Sequence, residues 1–294
     1  MSGWTLGVIG GSGLYALEGL EDARWVRADS PWGEASDAVL HGRLEGVELR
    51  FLPRHGRGHR LSPSRLNYRA NIDVLKRAGA TDVLSLSAVG SLRESMAPGS
   101  FVAVDQFVDR TVGREASFFG DGIVAHVSMA EPVCHRLTAL AAAAGREAGG
   151  EVHVGGTYLA MEGPQFSTKA ESRLYRAWGC DVIGMTNMPE AKLAREAELP
   201  YASLAMVTDY DAWREEEGSH VEVTKVVEVM HANTALAKAT LARLCTLLTG
   251  RPRAPSPIDT GLDTALITPP EHRDPALLAK LDAVAGRALR RAPT

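Results

Sequence analysis

Short apolar runs that stop abruptly at small and polar residues constrain this chain most. Leu6–Ile9 runs into Gly10-Gly11-Ser12-Gly13, Val47–Leu52 into Pro53-Arg54-His55-Gly56, and Val83–Ser87 into Ala88-Val89-Gly90-Ser91. Val182–Met185 stops at Thr186, and Ala202–Val207 at Thr208-Asp209. Runs of this length bounded by turn residues suit strands buried in a sheet. Helical patterns lie between them. Tyr68, Ile72, Leu75 and Ala78 recur at spacings of three or four over residues 66–78, with Gly79 as a stop. Thr168-Lys169-Ala170-Glu171 reads as a capping box that opens a helix to about Trp178. Val152–Met161 is expected to be extended, and residues 221–248 to form a long helix. Repeated strand–helix alternation predicts an α/β fold around a central sheet. In open α/β sheets ligands bind beyond the carboxyl ends of the strands, so the polar strand ends are expected to converge on one site.

The chain has 294 residues, enough for one large domain. The alternation runs to about residue 249, and Gly250-Arg251-Pro252-Arg253-Ala254-Pro255-Ser256-Pro257 then breaks it. We expect a domain over 1–249 and a C-terminal arm over 250–294, with a short helix at 277–290. The arm is too short for its own core and should pack on the domain or on a neighbouring subunit. Thirty-two basic and 36 acidic residues leave a formal charge of −4, which argues against a broad nucleic-acid or anionic-membrane surface. Cys134, Cys180 and Cys245 are scattered and odd in number, so neither a disulfide framework nor structural zinc is expected. No apolar run reaches the ~18 residues of a membrane span, and a cytoplasmic protein is expected.

Six segments carry groups suited to chemistry. The Gly10–Gly13 turn frees backbone N–H groups for an anion, with the Ser12 hydroxyl as a further donor, although a turn without a ligand suits it as well. It lacks the spacing of a dinucleotide site and the lysine of a P-loop. Arg54-His55-Gly56-Arg57-Gly58-His59 places two Arg and two His at a strand end, where the Arg54 fork suits phosphate and the alternative is a solvated basic loop. Ser87 can donate to a ligand oxygen, and Ser91 can equally cap a following helix. Phe166 lies in a polar Gly/Pro loop and suits either base stacking or plain packing. Met185 and Thr186 end a strand before Pro189. Asp209 and Asp211 end another; two close carboxylates repel and burial disfavours charge, so at least one is expected to have a raised pKa, the alternatives being an exposed Asp turn or a hard-metal site. No third ligand stands at a metal-site spacing.

The order of the segments is more specific than any one of them. GVIGGSGL, RHGRGH, NYRANI, AVGSLRE, VDQFVDRT, MAEP, EGPQFST, GMTNMPE and TDYDAW follow one another over about residues 5–231. This series resembles the 5'-methylthioadenosine phosphorylase family, within the purine nucleoside phosphorylase superfamily. The resemblance implies a single α/β domain with a mixed, distorted central sheet flanked by helices. It implies phosphate-binding positions at Ser12, Arg54, His55, Ser87, Ala88 (through its backbone) and Thr186. It puts Met185 under the ribose, and Phe166, Ser167, Asp209 and Asp211 around the purine. His126 matches a residue lent to a neighbouring subunit's pocket, and Val223 and Val226 match apolar positions around the 5' substituent. The implied partners are a nucleoside and inorganic phosphate as co-substrate, with no metal or organic cofactor, in a homotrimer or hexamer. Ser12 and Ser87 stand where relatives often carry Thr, Val89 where Cys is often seen, and the loop at Gly218–His220 departs in length. A subunit-bridging role for Leu266–Thr268 is the expectation for the arm.

The implied reaction is attack of phosphate on C1', giving free base and pentose 1-phosphate, with Asp209 as proton donor to the leaving purine. Lifting an Asp from a reference pKa of ~3.9 to about 7 requires roughly 4 kcal/mol of differential stabilisation. Carboxylate acceptors suit a 6-amino purine, whereas an Asn would suit a 6-oxopurine. Val223 and Val226 suit an apolar 5' group, with His220 near in sequence. A 6-oxopurine or 5'-methylthioinosine phosphorylase, a phosphorylase for another 5'-substituted 5'-deoxyadenosine, a hydrolase, and a nucleoside-binding protein without turnover are the alternatives that the residues leave open.

Overall fold

A computed structural model describes residues 3–11, 13–214 and 223–290, and the side chains of those residues except 223–226. The centre is an 11-stranded mixed sheet. Strand β1 (Thr5–Gly10) pairs in parallel with β4 (Val47–Pro53) and with β5 (Asp82–Ser91). Outside β4 lie β3 (Val39–Leu44) and β2 (Glu21–Val26), both antiparallel additions. On the other side the sheet divides at β5. Strand β11 (Tyr201–Asp209) follows β5 in parallel from Val83 to Gly90, whereas β10 (Val182–Gly184) meets only Gly90 and Ser91, and does so antiparallel. Beyond β11 come β6 (Phe101–Val104) and β8 (Val152–Val154); beyond β10 come β9 (Thr157–Met161) and β7 (Gln106–Arg110).

The branch has a cause in register. Strand β1 pairs with β5 only through Ser85, and from Leu86 onward β5 leaves it. The diverging segment Leu86–Gly90 therefore has open space beside it, beyond the carboxyl ends of β1 and β4. Sequence reasoning stopped β5 at Ser87, but the strand continues to Ser91. No helix follows for Ser91 to cap; its hydroxyl instead closes a local turn with Arg93, donating to Arg93 O at 2.8 Å and accepting from Arg93 N at 3.1 Å.

Alternation along the strands sends successive side chains to two cores. Leu6, Val8, Leu84, Leu86, Leu204 and Met206 face a cluster that includes α2 (His135–Glu147) and α5 (Val223–Leu248). Ile9, Val83, Val89, Tyr201, Ala205 and Val207 face the other, which includes α1 (Tyr68–Arg77) and α4 (Asn187–Glu196). Helix α3 (Lys169–Ala177) opens with the capping box read from Thr168 and Glu171. No helix among the described residues is long and apolar enough to cross a membrane.

The segment after α5 is pinned by charge as well as by packing. Asp82, wholly buried at the start of β5, accepts from Arg136 of α2 and from Arg253 Nε at 2.5 Å. Arg253 also forks onto Asp259, at 2.6 and 3.1 Å. Ile258 and Leu262 are buried beyond it. The helix expected over 277–290 is broken into α6 (Pro275–Lys280) and α7 (Gly286–Leu289). Leu281, Val284 and Ala285 between them are driven into the core, and burying all three overrides one continuous helix.

Arg253→Ala would leave Asp82 buried with one cationic partner instead of two. Removing one member of a buried ion network costs about 3–5 kcal/mol. The urea midpoint of Arg253→Ala is expected to fall accordingly; an unchanged midpoint would mean that this network does not hold the arm.

Candidate active site

Arg54, His55, Ser87, Ala88, Phe166, Met185, Thr186, Asp209 and Asp211, all singled out from the sequence, line one cavity of about 360 Å³. Its volume lies within the range of small-molecule sites. The cavity opens where β5 diverges from β1, and five strand ends contribute to it. Gly11 follows β1, Arg54 and His55 follow β4, Ser87–Gly90 belong to β5, Met185 and Thr186 follow β10, and Asp209 closes β11. Ser12 lies outside the described residues. Val223 and Val226 belong to α5, with side chains outside the described ones.

One end of the cavity is lined by hydrogen-bond donors. The Arg54 guanidinium is 2% exposed and bonds on almost every side. Its Nε donates to Glu190 Oε2 at 2.9 Å and Nη2 to Glu190 Oε1 at 3.1 Å. Nη2 also reaches Ser85 Oγ at 2.6 Å and Ile9 O at 3.3 Å, and Nη1 donates to Leu86 O at 2.9 Å. A guanidinium has five N–H bonds, so one on Nη1 has no partner among the described residues. The charge of Arg54 is thus matched by the equally buried Glu190, which also accepts from Tyr201 Oη at 2.8 Å. Sequence reasoning missed this partner, although Glu190 stands inside the GMTNMPE segment; the signal was a carboxylate in an otherwise apolar helix face.

His55 holds its ring with Nδ1 2.8 Å from the Leu61 carbonyl oxygen. His59 stacks on it, with ring centres 4.3 Å apart. Burial, with Arg54 and His59 adding to it, pushes His55 down to about 4, so the ring is neutral near pH 7. Ser87 Oγ is buried, and the Tyr158 phenol lies beside it without the geometry of a well-formed hydrogen bond. A buried hydroxyl left without a well-formed hydrogen bond costs about 1–3 kcal/mol, which a ligand oxygen at this position would offset. Thr186 lies beside it, its N–H 3.4 Å from Tyr158 Oη. Gly184 has to be glycine, because a Cβ there would sit 2.0 Å from that same phenol oxygen.

The other end carries the carboxylates. Asp209 Oδ1 accepts from Asp211 N at 2.9 Å, and Asp209 Oδ2 lies 2.7 Å from Thr208 Oγ. Thr208 Oγ also lies 3.1 Å from Val89 O. The Thr208 hydroxyl has one hydrogen to divide between these two acceptors. Burial, the largest cause, raises Asp209 above the ordinary carboxyl value against the bonds from Thr208 and Asp211 N–H, and the Asp211 charge adds to the rise. Asp211 is likewise raised by burial, against the Ser172 and Ser167 hydroxyls and the Ala212 N–H, which pull it back down. Gly90 lets the pair approach β5, since a Cβ would fall 2.9 Å from Asp209 Oδ1 and 3.2 Å from Asp211 Cβ.

Between the ends the walls are mostly apolar: Leu14, Met161, Phe166, Ile183, Met185, Met206 and Met230. Phe166 is 48% exposed, a ring held at the cavity rim instead of in a core. Ser167 is buried behind the rim, 3.7 Å from the sulfur of Met161, and is not part of the lining. Met230 and Thr234 were not anticipated; they stand four residues apart on α5, the spacing of one helix face. His126 lies away from the cavity. Its N–H donates to Ala265 O at 2.9 Å, next to a bridge between Ala125 and Leu266. Among the described residues no group of three His, Cys, Asp or Glu side chains is placed to hold a metal.

A site with neutral donors at one end, paired buried carboxylates at the other and an apolar waist is built for a molecule that combines a polar heterocycle with a nearby oxyanion. Together with the branched α/β sheet, it defines a nucleoside- and anion-handling enzyme class. The chain belongs to the phosphorylase superfamily, whose family model matches residues 5–245. It is 60% identical to an S-methyl-5'-thioadenosine phosphorylase of Cereibacter sphaeroides, over 97% of this chain and 98% of that one. A methylthioadenosine phosphorylase from an Antarctic soil metagenomic library superposes with a TM-score of 0.91 at 44% identity, over 97% and 99% of the two chains. A methylthioadenosine phosphorylase from Schistosoma mansoni, solved in complex with adenine, gives 0.78 at 35% identity, over 96% and 98%.

If the Ser87 hydroxyl meets an oxyanion, Ser87→Ala removes a hydrogen bond to a charged group, about 1.5–3 kcal/mol or roughly ten- to hundredfold in phosphate affinity. Thermal stability should fall little, because among the described residues the hydroxyl makes no well-formed hydrogen bond to lose. A lower melting temperature with unchanged phosphate affinity would assign the hydroxyl a structural role instead.

Proposed function

We propose that this protein catalyses the reversible phosphorolysis of S-methyl-5'-thioadenosine to adenine and 5-methylthioribose 1-phosphate. The observation that carries the reading is the pair of buried carboxylates facing a buried serine hydroxyl across one cavity, in a chain so similar to named S-methyl-5'-thioadenosine phosphorylases. In this reading phosphate is a co-substrate and no metal or organic cofactor takes part. It binds among Ser87, the Ala88 backbone, Thr186, His55 and the remaining N–H of Arg54, with Ser12 as a further donor. Phosphate then attacks C1' of the ribose, which rests over Met185. The C–N bond breaks as positive charge develops on the sugar, and the bound anion stabilises that charge.

The leaving adenine takes negative charge toward N7. Asp209 in its acid form donates a proton or a strong hydrogen bond there, and Asp211 accepts from the 6-amino group. Phe166 stacks against the base, with Ser167 behind it, and Val223 and Val226 border the 5'-methylthio group. The acid form of Asp209 dominates below its raised pKa and is lost as pH rises through it. Turnover is therefore expected to decline on the alkaline side. Asp209→Ala is expected to lower kcat about a hundredfold or more, the ordinary contribution of a general acid. Near-normal turnover in that variant would remove Asp209 from the role.

The direct test is incubation with S-methyl-5'-thioadenosine with and without phosphate, followed by identification of the products. Phosphate-dependent release of adenine and 5-methylthioribose 1-phosphate is expected. Release of adenine without phosphate would sink phosphorolysis, and preference for the inosine analogue would overturn the choice of base. We further propose a homotrimer or a dimer of trimers in which His126 reaches a neighbouring site. The edge formed by residues 124–126 and 265–268 leaves Val124 and Ile267 exposed, as a subunit contact requires. The mass in solution is expected at three or six times 31.4 kDa, and a fully active monomer would refute the sharing.

A further inference from the structure

The hydrogen-bond inventory at His55 restricts what can bind there. Leu61 offers a carbonyl oxygen, which only accepts, so the 2.8 Å contact fixes a proton on His55 Nδ1. In the neutral ring the other nitrogen, Nε2, then carries a lone pair and no hydrogen. No described residue bonds Nε2, and His55 lines the cavity. The charged and titratable groups facing the ring are the Arg54 guanidinium and the stacked His59, and both oppose a second proton on it. Glu190, which offsets Arg54, is bound to the far side of that guanidinium through Nε and Nη2.

An oxyanion oxygen without a hydrogen cannot approach a lone pair on Nε2 favourably, because both are acceptors. A proton has to lie between them. Monohydrogen phosphate brings one on its own P–O–H. Sulfate near neutral pH brings none, and can be held only if the imidazole takes up a proton from solvent. We propose that His55 selects the co-substrate by its proton: Nε2 accepts a hydrogen bond from the P–O–H of monohydrogen phosphate, and anions lacking such a hydrogen are disfavoured. His55 is thereby a specificity-determining residue of the oxyanion site. The inference rests on the reading of this cavity as a phosphate site. The bound proton also fixes which phosphate oxygen faces His55, leaving the unprotonated oxygens for the donors and for C1'.

The test is isothermal calorimetry of the full-length protein with inorganic phosphate and, separately, sulfate. Each titration is run at pH 6, 7 and 8 in two buffers of different ionisation enthalpy. Sulfate is expected to bind with uptake of about one proton per site, so its affinity falls about tenfold for each unit of rising pH. At pH 8, where free phosphate is mostly monohydrogen phosphate, phosphate is expected to bind with almost no uptake. In His55→Gln an amide N–H stands in for the proton, and the pH slope for sulfate should vanish. Sulfate binding without proton uptake, or with the same pH dependence as phosphate, overturns the proposal while leaving the phosphate site intact. Persistence of the slope in His55→Gln moves the proton to another group and also overturns it. If phosphate binds at no pH tested, the reading of the cavity itself fails, and this inference with it.

Discussion

The site depends on one buried ion pair. Arg54 and Glu190 are each almost completely excluded from solvent and meet through two hydrogen bonds of 2.9 and 3.1 Å. Desolvating two charges costs several kcal/mol per ion, and only dense further bonding compensates. Here that bonding ties the parts of the site together. Arg54 reaches Ile9 on β1 and Ser85 and Leu86 on β5, while Glu190 anchors α4 and receives Tyr201 of β11. Arg54 N–H also donates to Gly10 O at 2.9 Å. The pair therefore sits where β1, β4, β5 and β11 approach one another, just below the point at which β5 departs from β1.

This arrangement changes how the donor end of the cavity works. Sequence reasoning read the Arg54 fork as suited to phosphate, and the family resemblance implied a phosphate-binding position at His55. In the fold the Arg54 charge is already balanced, and burial keeps His55 neutral near pH 7. An anion placed there would meet oriented N–H and O–H dipoles and, among the described residues, one guanidinium hydrogen not otherwise engaged. Such fixed dipoles cost little reorganisation when charge shifts during a reaction. They also depend on geometry more than a mobile cation would, and the network around Glu190 supplies that geometry.

The strands and the convergence of their ends were legible because the periodicities were strong and the breaks were marked by Gly, Pro and polar residues. The capping box at Thr168 and Glu171 was legible for a local reason: both partners lie within one turn. The branch at β5 was not, because pairing with β10 and β11 is a matter of long-range register that no local pattern encodes. The same holds for Glu190, whose partner is 136 positions away in the chain, and for Met230 and Thr234, which reach the cavity through the placement of a whole helix. Residues 277–290 carry a helical pattern, but burying Leu281, Val284 and Ala285 against the domain splits it.

Two buried polar groups, the Ser87 hydroxyl and the Asp211 carboxyl, belong to residues at opposite ends of the same cavity. Among the described residues each has less than a full set of well-formed hydrogen bonds. Elsewhere around the cavity the fold satisfies comparable groups at long range, as Arg54 and Tyr201 show. Gly90 and Gly184 give the spatial counterpart: each sits where a side chain would collide with a site group, Asp209 at one end and Tyr158 behind Thr186 at the other. The backbone has been pared back at the two positions that let polar groups crowd the cavity. A ligand with an oxygen at one end and a donor at the other meets Ser87 and the carboxyl pair together, so binding of the two ends is coupled through the distance that β5 sets between Ser87 and Gly90.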